Sequence, residues 1–354
     1  MGQMAHQKPR PSLILTVRRN PGRCEPQPGT GPGAIRQGPR VHFPLDSPGA
    51  LHGPAAIMKS RVKPVESAWD ALIDVAALRG LLDTPGVRIL DCRHDIARPD
   101  LGQEQYGQGH IPGAVFARLD RDLSGAKTGR NGRHPLPEPS ALAARLRAWG
   151  IGSTDQIVAY DASEGSYAAR AWWLLRWLGH SKVAVLDGGW TAWVAAGCPV
   201  SEQVPTPQPG DFTVRSSLQA VDSVDVVAAR SATTGAEAPT LLIDARAPDR
   251  YEGRNETVDP VAGHIPGAIN RYWKQNLGED GCFKSAAQLR SEYQAILAGR
   301  APDQVTVQCG SGVTACHDLL ALHVAGLAGA ALFPGSWSQW VADPSRPVAL
   351  GATP

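Results

Sequence analysis

Short runs of Val, Ile and Leu recur between residues 62 and 350, each closed by a turn and followed by a stretch with helical spacing of apolar positions. LLID at 241–244 and VTV at 305–307 are continuous runs of the kind that suits a strand buried on both faces. Over 313–327, Val313, Cys316, Leu320, Val324 and Leu327 fall three or four apart, which predicts a helix with one apolar stripe. Strands alternating with helices predict an α/β fold, a mostly parallel sheet with helices on both faces. In such sheets functional loops lie at the carboxyl ends of the strands. The segment CGSGVT at 309–314 falls there.

The same pattern occurs twice. ILDCR at 89–93 is echoed by LIDAR at 242–246, and GHIPGA at 109–114 by GHIPGA at 263–268. IVAYDASEG at 157–165 matches VTVQCGSG at 305–312, and LDGGWTAW at 186–193 answers FPGSWSQW at 333–340. Four landmarks in one order at nearly constant offset predict a duplicated domain. Its copies are expected at 62–200 and 218–350, joined by a polar, proline-bearing linker at 201–217.

Residues 1–61 stand apart. Their Pro, Gly and Arg content buries too little apolar surface to offset chain entropy, so a disordered or wrongly assigned extension is expected. Ordered-looking sequence begins after Met58, which is the expected true start; the segment lacks the amphipathic period of a transit peptide. The formal charge is +2, of which residues 1–57 carry +5, leaving −3 for the remainder. That mildly acidic body offers no basic stripe for a phosphate backbone, and nucleic acid is excluded as a partner. No apolar run is long enough to span a membrane. The six cysteines (Cys24, Cys92, Cys198, Cys282, Cys309 and Cys316) are scattered, form no C-x-x-C pair and follow no secretory segment. Free thiols in a reducing compartment, the cytoplasm, are expected.

Cys309 stands out. It ends a buried strand and is followed by small residues and then a helix, so the backbone can curl its N–H groups toward the sulfur while the helix N-terminus adds positive potential. Both favour a thiolate, and the same cradle suits a persulfide anion. Gly310 and Gly312 allow close approach; Ser311 and Thr314 offer hydroxyls. The competing reading is a structural cysteine, which fits Cys316 on the apolar stripe better than Cys309.

The loop CGSGVTA, the two GHIPGA motifs, the DCR and DAR strand ends and GSWSQW together resemble the tandem-domain rhodanese superfamily over residues 62–350. The resemblance implies two rhodanese-like domains, the second catalytic, the first inactive because Asp161 stands where Cys309 is expected. It also implies sulfur transfer through a Cys309 persulfide, without metal or organic cofactor. Thiosulfate sulfurtransferases carry two basic residues after the cysteine; Gly310 and Ser311 stand there instead, which resembles the 3-mercaptopyruvate sulfurtransferases. Gln339 departs from the family's usual glutamate. By the same resemblance Ser311, His110 and Asp100 assist catalysis as a proton relay; since His264 repeats His110 in the second half, a structural role for His110 is the equal alternative. Arg170, with Arg176 second, pairs with the donor's carboxylate, an arginine fork being suited to it. Gly310, Gly312, Val313 and Thr314 line the donor site. The expected partners are a small sulfur donor and a thiol acceptor such as thioredoxin or a small thiol, or cyanide. Competing readings are a thiosulfate sulfurtransferase, a non-catalytic sulfur carrier or persulfide sensor, and a protein phosphatase. The last needs an arginine six residues after the cysteine, where Ala315 stands.

Overall fold

The computed structural model describes residues 69–231 and 240–354; the expectations for residues 1–61 and for Met58 as start fall outside them. Among the described residues, ten strands form two five-stranded sheets. The first contains β1 (Leu72–Ile73), β2 (Val87–Asp91), β3 (Val115–Phe116), β4 (Gln156–Tyr160) and β5 (Val183–Leu186), in the order β1-β5-β4-β2-β3. The second contains β6 (Ala220–Val221), β7 (Leu241–Asp244), β8 (Ala268–Asn270), β9 (Val305–Gln308) and β10 (Ala331–Leu332), in the order β6-β10-β9-β7-β8. Every strand pair is parallel, and the second order repeats the first. The central strands are buried along their whole length, which explains the unbroken apolar runs.

The repeated motifs interlock. In DCR, Arg93 forms a buried ion pair with Asp91, stacks 4.5 Å from the Trp190 ring and donates to the Gly109 carbonyl. In DAR, Arg246 does the same with Asp244, Trp337 (4.7 Å) and Gly263. One arginine thus ties strand end, GHIPGA loop and the tryptophan of the following motif together. Burying that charge is tolerable because its acid and a carbonyl satisfy it.

The two halves lie in one structural unit. Their contact is built from helices Ala168–Trp177 and Ala315–Val324, each of which follows the loop at the end of its sheet's central strand. Residues 315–322 are buried all round rather than along one stripe, because the first domain covers the face that an isolated domain would expose. The connector does not swing free. Ser201 pairs with His110 through both backbone groups, and Phe212 is buried against the first domain.

Candidate active site

β9 delivers Cys309 to its carboxyl end, where the side chain is buried with 2% exposure. Gly312 returns the chain with φ +76°, and a Cβ there would stand 2.3 Å from the Pro334 carbonyl oxygen, so only glycine fits. Its N–H points at the Cys309 sulfur, 3.2 Å away. The GSWSQW turn clamps the loop from outside. The Cys309 N–H donates to Ser336 Oγ (3.1 Å), while the N–H groups of Trp337 and Ser338 donate to the carbonyls of Cys309 and Gly310. Ser336 adopts left-handed backbone (φ 51°) to place that hydroxyl. Val313 is buried beneath the loop, and Thr314 stands at the start of the helix. Burial pushes the Cys316 thiol up to about 12; it donates to the Gly312 carbonyl and lacks the electrostatics of a nucleophile.

The first half shows the same cradle filled. Asp161 ends β4, and its carboxylate accepts four backbone N–H groups, from Ser163 (2.7 Å), Gly165 (2.9 Å), Tyr167 (2.8 Å) and Ala168 (2.8 Å). Burial raises its pKa and those four bonds oppose the rise. The anion is held by loop curvature and helix start alone.

Across the interface, His134 of the first domain meets Ser311: Nδ1 lies 2.8 Å from Ser311 Oγ, and Nε2 lies 3.4 Å from Asp120 Oδ1. Asp120 is held well below the usual carboxylate range, chiefly by its bond to His134, so it only accepts. The proton then sits on Nε2, leaving Nδ1 to accept from the Ser311 hydroxyl. Burial lowers the His134 pKa more than Asp120 raises it, and the ring is neutral at pH 7.

The relay expected of His110 and Asp100 is not assembled. His110 stacks on Tyr106 (4.0 Å), with Nδ1 on the Tyr106 carbonyl and Nε2 on that of Gln203. His264 repeats the stacking and the Nδ1 bond on Tyr251, though its Nε2 has no partner among the described residues, so the motif histidine makes the same fold contact in both halves. Asp100 is an exposed side chain paired with Arg118. Arg170 does reach the loop, but from beneath. It is fully buried, with Nη1 donating to the Gly312 carbonyl and Nη2 to that of His134 (both 3.1 Å). It thereby locks the Cys309 loop to the His134 segment and keeps no exposed surface. Arg176 lies over the Trp172 ring in a separate crevice with Leu319, Leu322 and His323, none of them in the Cys309 loop.

His134 and Asp120 escaped sequence reasoning because the stretch at 119–134 has no periodicity and its partner lies 177 residues on. One signal was available. His110 has a twin in His264, whereas His134 has none, since no histidine occurs between His264 and His317. A residue that breaks the repeat is the better candidate for chemistry that only one half performs.

The rhodanese-like domain family matches residues 74–196 and 224–343, and the chain belongs to that family in tandem form. It is a sulfurtransferase most like those named for 3-mercaptopyruvate. A probable 3-mercaptopyruvate sulfurtransferase of Pseudomonas aeruginosa is 45% identical over 282 residues, covering 79% of this chain and 98% of the relative. SseB of Mycobacterium tuberculosis, a putative thiosulfate sulfurtransferase, is 41% identical over 292 residues, covering 81% and 99%. The crystal structure of SseA from Escherichia coli, a 3-mercaptopyruvate sulfotransferase by its description, superposes with a TM-score of 0.65 at 32% identity, covering 76% of this chain and 99% of that one.

Proposed function

We propose that this enzyme moves the thiol sulfur of 3-mercaptopyruvate, as the sulfane sulfur of a persulfide on Cys309, to a thiol or cyanide. The observation that carries the reading is the filled cradle of the first half. Four N–H groups hold the Asp161 carboxylate there, and the corresponding curl around Cys309 holds a sulfur with one N–H already aimed at it. A persulfide's outer sulfur is an anion in search of such donors.

The Cys309 thiolate attacks the donor sulfur, and the carbon–sulfur bond breaks with its electron pair passing to the pyruvate enolate. The donor's thiol proton passes through Ser311 to neutral His134, whose imidazolium Asp120 steadies, and returns to the enolate carbon to give pyruvate. What remains is Cys309–S–S⁻. A thiolate, as in a small thiol or reduced thioredoxin, or cyanide then attacks the outer sulfur and restores the Cys309 thiolate.

Thiosulfate is the competing donor, favoured by the name of the M. tuberculosis relative and opposed by the absence of a cation at Gly310 and Ser311. Intact mass after donor treatment should rise by one sulfur, about 32 Da. Cys309→Ser should abolish the rise, and its persistence refutes the assignment. Multiple turnover with cyanide separates an enzyme cycle from a one-shot carrier.

A further inference from the structure

The Cys309 loop carries no cation, yet two guanidinium groups stand over it. A Cβ on Gly310 would lie 3.1 Å from Arg133 Nη2 and 3.6 Å from both Nη1 and Nη2 of Arg250. Arg250 belongs to the second domain's short helix Pro248–Tyr251. Arg133 comes from the first domain and is placed firmly. Its N–H donates to Ser338 Oγ (3.0 Å), and a Cβ on neighbouring Gly132 would meet the Gly335 carbonyl oxygen at 2.7 Å.

One carboxylate bridges the pair. Asp259 Oδ1 takes Arg133 Nη1 (2.5 Å) and Oδ2 takes Arg250 Nη2 (3.0 Å), while Glu256 occupies Arg250 Nε and Nη2. That leaves Arg133 Nη2 and Arg250 Nη1 without an acceptor among the described residues, and these are atoms next to Gly310. The acids are buried to 2% side-chain exposure, whereas the arginines keep 23% and 21%. The acidic side faces inward and the donor side faces the loop mouth.

We propose that Arg133 is a donor-binding residue: with Arg250 it forms a two-arginine clamp for the anionic end of the sulfur donor, Arg133 being supplied across the domain interface. This rests on the sulfurtransfer cycle above. Arg133, Arg246 and Arg250 are matched by Asp244, Glu256 and Asp259, so the cluster is neutral when empty. A neutral cluster with two spare N–H donor groups, Arg133 Nη2 and Arg250 Nη1, accommodates one carboxylate charge more readily than a dianion, which favours 3-mercaptopyruvate over thiosulfate. The same geometry explains Gly310. A side chain there would crowd Arg133 Nη2, which would have to give way, so a loop side chain at 310 and the first-domain cation compete for the same space.

The test compares wild type, Arg133→Gln and Arg133→Lys with 3-mercaptopyruvate and thiosulfate, reading steady-state constants and discharge of preloaded persulfide by cyanide. KM for the donor should rise about 10- to 100-fold in Arg133→Gln, the worth of one charge-assisted hydrogen bond, and by less in Arg133→Lys. The kcat and the discharge rate should stay near wild type. A folded Arg133→Gln protein whose donor KM lies within twofold of wild type overturns the clamp, as does an equal slowing of loading and discharge. If the glutamine variant does not fold, an unchanged KM in Arg133→Lys overturns it instead. Should wild type load from thiosulfate alone, the donor assignment fails separately and the thiosulfate KM decides Arg133.

Discussion

Replacing His134 by Gln preserves much of its volume and a hydrogen-bonding group facing Ser311 but removes proton transfer. The reaction with 3-mercaptopyruvate generates an enolate that must be protonated at carbon, whereas thiosulfate expels sulfite, which keeps its own electron pair. A positioned acid–base group typically contributes about 10²- to 10⁴-fold. Here the Ser311 contact is short at 2.8 Å but the Asp120 contact is 3.4 Å, and Asp120 keeps 29% side-chain exposure. A partly hydrated, longer second link places the loss toward the lower end, about 10²- to 10³-fold, or roughly 3–4 kcal/mol of barrier. Rapid-quench measurement of pyruvate release, beside persulfide formation from thiosulfate, reads the two cases separately. The pH profile adds a sign. His134 is lowered from its ordinary 6.5 by burial, so the neutral base persists at pH 7 and above. The wild-type loading rate should therefore be flat there and fall only as pH drops through the lowered value. Equal losses with both donors, or none with 3-mercaptopyruvate, refute the relay.

Two further outcomes concern the loop and the core. Gly312→Ala forces a Cβ to 2.3 Å from the Pro334 oxygen at φ +76°. It should cost about 1–3 kcal/mol and most of the activity, measured by denaturant unfolding and turnover; a variant of wild-type stability and rate contradicts the cradle geometry. Burial pushes the Asp318 carboxyl from 3.8 up to about 7. Its contribution to stability is present below the ordinary value and is lost as pH rises through 7. Asp318→Asn should therefore stabilise the protein by about 2–3 kcal/mol more at pH 8 than at pH 5, and a gain independent of pH counts against it. His317, lowered to about 3 by burial, loses stability on the acid side in both proteins and cancels in the comparison.

Features that repeat or follow a period were legible in the sequence. The duplicated DCR/DAR and GHIPGA motifs mark the two sheets, because each motif is one corner of a buried Asp–Arg–Trp assembly that the fold needs twice. The strand-end cysteine before glycines and a helix was legible because its meaning is local. What pairs across the interface was not. The Ala315–Val324 helix reads as one stripe, since nothing within 313–327 records that a second domain covers its other faces. Arg170 reads as a cleft arginine because sequence gives its helix but not its depth, and its partners are carbonyls at Gly312 and His134. For His110 the repeat pointed the right way: its twin His264 argued for a fold role, and the imidazole stacks on Tyr106 with Nδ1 on the Tyr106 carbonyl.

The Arg170 bridge and the Ser311–His134 contact make the two halves unequal heirs of one ancestor. The half that carries Cys309 lies against His134 of the other half, whose own cradle is occupied by Asp161. On the proposed cycle neither can be deleted, nor duplicated in place of the other, without separating Cys309 from the His134 relay. A return to a single self-sufficient domain would require a substitute for His134 to arise on the cysteine's own side before the partner was lost.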